Sequence, residues 1–150
     1  MNALEVATYI TRTFADVDRV ESLDNSFFFY VPEGTLEPDR RFPFATLMTN
    51  DDNDGASNLS RPDVFRLNIG VKPDTYHSLF GPQPRFDTAD WASDTDFTVL
   101  DRILPHPVYA AMSWVCVLSP RAETFEIVKL LLAKAYELAV RRFGKRLNRG

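Results

Sequence analysis

"VFRLNIGV", residues 64–71, alternates strictly, with Phe65, Leu67 and Ile69 on one side of an extended chain and Arg66 and Asn68 on the other. This period of two predicts a strand with one face in an apolar core and one polar face free to act. What flanks that strand then decides the fold class.

Upstream, Leu4, Ala7, Ile10 and Phe14 recur at near-helical spacing and predict an amphipathic helix from about Ala3 to Phe14. "RVESLD" (19–24), "SFFFYV" (26–31) and "FPFATLMTN" (42–50) are rich in β-branched and aromatic residues and predict three strands, parted by a tight turn at Asp24-Asn25 and by a loop from Pro32 to Arg41. Downstream, "KPDTYHSLFG" (72–81) predicts a short helix, with a proline near its start and Gly81 as its C-cap. Residues 82–96 are polar and aperiodic and read as an exposed loop. "WVCVLS" (114–119) is apolar on both faces, as a central strand is. Ser119 and Pro120 suit the cap and first position of a long helix traced by Phe125, Val128, Leu132, Ala135 and Ala139 and ending near Gly144. The order lacks βαβ alternation. It predicts an α+β fold in which residues 1–150 form one domain, a mainly antiparallel sheet packed by an N-terminal helix and a long C-terminal helix.

The composition narrows the function classes. No stretch approaches the roughly 18 apolar residues of a membrane span, and Glu5 and Arg12 interrupt what a signal peptide would keep apolar, so a soluble, cytoplasmic protein with no membrane partner is expected. The net charge of −4 hides an asymmetry: residues 1–104 hold 9 Lys/Arg against 18 Asp/Glu, and residues 105–150 hold 8 against 3. The basic end, with Arg141, Arg142, Lys145, Arg146 and Arg149, offers an alternative reading as a weak, salt-sensitive DNA contact. Basic residues in a last helical turn also offset the macrodipole, and the acidic majority repels nucleic acid.

"TNDDNDGASNLSR" (49–61) resembles a calcium loop, with Asn50, Asp52 and Asp54 at the first, third and fifth positions and Gly55 at the sixth. Arg61 stands where the bidentate glutamate belongs, and a guanidinium cannot ligate a cation, so the stretch reads as a metal-free connection. His77, His106 and Cys116 lack paired zinc spacing, and no glycine-rich phosphate cradle occurs, so no metal or cofactor is expected. Cys116 with His106 and Asp101 has the residue types of nucleophilic catalysis, but a cysteine amid an apolar strand is an inert hydrophobe. Ser57, Ser60 and Ser113 lack any elbow motif, and no catalytic residue is assigned.

"LPHPVY" (104–109) holds His106 stiffly between two prolines. Its imidazole either serves a site or caps a neighbouring carbonyl at a corner. Trp91 and Trp114 are candidates for packing or for stacking on a ligand.

Over nearly its full length, at "RRFPFATLMTNDDND", "NLSRPDVFRLNIGV", "DFTVLDRILPHPVYAAMSWVCVLSP" and "AYELAVRRFG", the sequence resembles the bacterial domain-of-unknown-function family 6194. More distantly, "FRLNIGV", "HPVY", the tryptophan of "SWVCV" and the last helix look like MmcQ/YjbR-like domains, small α+β proteins labelled DNA-binding by analogy of fold. Those domains carry basic residues just before the tryptophan, where this chain has Ala110, Ala111, Met112 and Ser113. The residues therefore favour a non-enzymatic binding module whose candidate site is Arg66, Asn68, His106 and Trp114, taking a small anionic ligand or a protein partner. A small enzyme centred on His106 is the alternative. Convergence of Arg66, Asn68 and His106 in a concave pocket separates small-molecule binding from contact through a flat face.

Overall fold

The computed structural model describes residues 1–38, 40, 42–84 and 94–149, with side chains as far as Lys145. Trp91 and the side chains of Arg146 and Arg149 lie outside the described residues. Helix α1 (Ala3–Thr13) leads into strands β1 (Val17–Ser22), β2 (Asn25–Tyr30), β3 (Ala45–Met48) and β4 (Arg66–Gly70). Helix α2 (Pro73–Phe80), strands β5 (Ile103–Pro105) and β6 (Trp114–Leu118) and helix α3 (Ala122–Arg149) complete the chain. All strand pairings are antiparallel, in the order β1-β2-β3-β4-β6-β5. This is the α+β architecture expected, with β3 and β4 at the centre of the sheet and β6 between β4 and the edge strand β5.

Helix α1 starts one residue after Asn2, whose side chain accepts from the Glu5 N–H while the Glu5 carboxylate accepts from the Asn2 N–H. That reciprocal capping box was legible in the sequence but not read. Its buried side, Val6, Ala7 and Ile10, meets Phe28, Leu47, Leu67, Ile69 and Val117 of the sheet and Phe125, Val128 and Leu132 of α3 in one apolar core. The register builds this face: Leu67 stands opposite Leu47 on one side and Val117 on the other.

Three boundaries differ from the sequence reading. The β1–β2 turn is Leu23-Asp24, one residue earlier than expected, and both residues take left-handed backbone with φ of 52° and 63°. This is the geometry of a two-residue hairpin turn, and the shift frees Asn25 to bond Asn50 and the Thr49 N–H from a buried position. Helix α3 begins at Ala122 and not at Pro120, because Ser119 turns into left-handed backbone with φ of 39°. The carboxylate of distant Asp101 accepts from the Arg121 N–H just before the helix, a cap that sequence proximity could not reveal. Past Gly144 the helix runs on to Arg149, since a single glycine costs a helix only about 1 kcal/mol and no proline follows. Among the described residues no helix is long and apolar enough to cross a membrane.

Candidate functional site

The second face of the sheet carries the candidate site. Here the alternation of β4 brings out Arg66 and Asn68, and the register sets Asn68 between Thr46 of β3 and Cys116 of β6, and Arg66 between Met48 and Leu118. This face was expected to be free, yet Arg66 is 1% and Asn68 2% exposed. The cover is the 49–61 stretch, which folds back over the sheet and seats Leu59 against Met48 and Leu118.

A buried guanidinium needs partners, and the covering loop supplies them. Arg66 grips Asp54 with two bonds, Nη1 to Oδ1 at 2.9 Å and Nη2 to Oδ2 at 2.5 Å. It also donates from Nη1 to Ser57 Oγ and from Nε to Asn68 Oδ1, each at 2.9 Å. Asn68 in turn donates to Thr46 Oγ1 at 2.9 Å. Asp54 is the partner of Arg66 because the loop brings it over the strand, whereas Asp101 is spent on capping α3. Burial alone would raise the Asp54 pKa, but the Arg66 hydrogen bond and charge, with the Ala56 N–H, hold it below its ordinary 3.8.

The same contacts explain the calcium-like pattern. Asn50 bonds Asn25 and the Leu23 carbonyl, and Asp54 is committed to Arg66. Arg61 donates to the carbonyls of Ser57, Asn58 and Thr98. These side chains fold the loop onto the sheet, and among the described residues no three His, Cys, Asp or Glu side chains gather as metal ligands.

His106 continues the β5–β6 ladder by one residue, its N–H donating to the Trp114 carbonyl, so the two side chains are cross-strand neighbours. Pro105 suits an edge strand, which can forgo an N–H. The imidazole does not cap a carbonyl. Its Nδ1 accepts from the N–H groups of both Val108 and Tyr109 at 3.0 Å, which requires a lone pair there and puts the proton on Nε2. Burial, and then the charge of Arg66, push its pKa down to about 3 against a smaller opposing pull from Asp54. His106 is therefore neutral. Cys116 is buried beside Phe97 and Leu104, and burial pushes its thiol up to about 12, so it stays protonated and outside nucleophilic chemistry. Ser57 and Ser113 are likewise held in hydrogen bonds, to Arg66 and to Gln83.

Between the polar strand face, the His106 turn and the 42–43 segment lies a cavity of about 550 Å3. Arg66, Asn68, His106 and Trp114 all line it, so the four residues singled out in the sequence meet in one concave place. Thr46, Phe27 and Phe29 were missed, although period two in β2 and β3 puts Phe27, Thr46 and Met48 on this face. Nothing in the sequence signalled Asp54 as the partner of Arg66, a role that depends on where the loop lands. Arg142 also lines the cavity, from an exposed position on α3, whereas Arg141 and Lys145 are exposed elsewhere on the same helix.

Counting protons on the cavity floor gives its chemistry. Among the described residues, four hydrogens find no acceptor: the Thr46 hydroxyl, the second amide hydrogen of Asn68, the second hydrogen on Arg66 Nη2, and His106 Nε2–H. All four belong to residues that line the cavity. The unclaimed groups of the floor are donors within aromatic walls, and the Asp54 carboxylate beside them is held by Arg66.

No curated protein and no solved structure matches the chain. The family model does, as the resemblance implied: the chain belongs to the family of unknown function DUF6194, whose model matches residues 1–148.

Proposed function

We propose that the protein binds a small anionic ligand with an apolar body in the cavity over the polar sheet face, as a binding module without turnover. The observation that carries this reading is the floor of four donors on Thr46, Asn68, Arg66 and His106 that find no acceptor among the described residues. Donors alone call for acceptors, and a carboxylate offers two oxygens with about four lone-pair sites. Arg142, which makes no ion pair among the described residues, adds positive charge at the cavity lining, where Arg40 is already paired with Asp18. Phe27, Phe29 and Trp114 suit a hydrocarbon or aromatic body.

Binding is favoured over catalysis because the cavity's basic groups are already occupied. His106 holds its proton on Nε2 and spends its lone pair on two backbone amides, and both Asp54 oxygens accept from Arg66. The concave shape favours a small molecule over the flat contact of a protein partner.

A thermal-shift comparison of hexanoate and benzoate with hexylamine and inorganic phosphate tests the reading, since a ligand of the folded state raises Tm by mass action. Both carboxylates are expected to stabilise the full chain, hexylamine not at all and phosphate weakly, with the carboxylate effect reduced in Arg142→Ala. Equal stabilisation by hexylamine, or no shift with either carboxylate, overturns it.

A further inference from the structure

A second cavity, of about 350 Å3, adjoins the first where the sheet meets α3. Phe42, Pro43, Met112, Trp114 and Arg142 line both. The second owes its space to small residues: Ala135 and Ala139, one turn apart on α3, face Gly70 at the end of β4. Trp114 stands opposite Gly70 in the ladder and lies so close over it that a Cβ there would be 2.8 Å from two indole carbons. The indole thereby occupies the room a β4 side chain would take and serves as a wall common to both cavities.

Their chemistry differs. The first has the donor floor, whereas the second is lined by Phe44, Val71, Leu138 and the two alanines, with Tyr30 and Arg142 the titratable side chains of its lining among the described residues. Resting on the binding function proposed above, we infer that the two cavities are compartments of one site for an elongated carboxylic acid. The carboxylate sits on the donors of Thr46, Asn68, Arg66 and His106, and the hydrocarbon chain passes Trp114 and Met112 to end against α3. Arg142, lining both compartments, sits beside the passage and screens the acid from bulk water. The length of the α3 compartment, set by Ala139 and Leu138, then selects the length of the chain.

The test is isothermal titration of the full-length protein with straight-chain carboxylates from butanoate to decanoate. Affinity is expected to rise by up to about fourfold per methylene while the chain still finds apolar room, and then to level off. Ala139→Leu, whose added atoms fill the α3 compartment, brings the plateau to a shorter chain. Leu138→Ala moves the plateau to a longer chain, and decides the matter if Ala139→Leu lowers the Tm of the free protein. Butanoate binding whose strength does not grow with length, or a plateau that neither variant moves, overturns the second compartment and leaves the binding function standing. Failure of every acid to bind removes that function, and the two-compartment site with it.

Discussion

The two faces of one sheet are closed in opposite ways. On the helix side, Leu67 and Ile69 of β4 join side chains from α1 and α3 in a core without charge. On the other side, Arg66 and Asn68 of the same strand are as deeply buried, yet a loop covers them and a cavity remains beside them. Apolar burial is non-directional and tolerates any well-packed cover, whereas a buried guanidinium needs acceptors at set positions. The first face is held by area and the second by geometry, so the second is where a ligand can be recognised.

The largest contrast is expected from Phe28→Ala, which empties a fully buried position on the helix side. It should cost about 3–5 kcal/mol in chemical denaturation. On the polar side, Arg66→Met should cost about 3 kcal/mol, the lower end for a broken buried pair because Asp54 keeps some contact with water. Replacing both partners, Arg66→Met with Asp54→Leu, should recover most of that loss, since no lone charge is then left under the loop. A double variant no more stable than Arg66→Met would mean that the ion pair does not hold the loop, and that the two faces are closed by the same apolar force.

The remaining contrast is one of pH. His106 has its pKa lowered from 6.5 to about 3 in the folded state, so between those values the unfolded chain binds the extra proton. Its contribution to stability is complete above pH 6.5 and is lost progressively as pH falls toward 3, with a slope of at most about 1.4 kcal/mol per pH unit. Asp54, also lowered, keeps its contribution down to its ordinary value of 3.8 and loses it only below, as pH falls through the folded value. From pH 6.5 to about 4, then, the slope assigned to this face belongs to His106 alone, and His106→Gln should flatten it. An unchanged slope in that variant would show that the imidazole is not held neutral.

The alternation of residues 64–71, the helical spacing in α1 and α3 and the doubly apolar β6 were enough to determine an α+β fold, and β6 is an interior strand as its composition required, although β3 and β4 form the centre. Those signals are local, because a side chain's face follows from the backbone period alone. The same period placed Arg66 and Asn68 together, and the two prolines singled out His106. Local pattern could not say that the 49–61 loop would bury the polar face, that Asp54 would be the partner of Arg66, or that Asp101 would cap a helix 20 residues away. Nor could it assign the His106 tautomer, which two amides of its own turn dictate. Each of these depends on which side chains meet once distant segments pack. The donor floor and the two cavities were decided there, in the tertiary structure, because unclaimed protons and empty volume are what remains after every other group has found its partner.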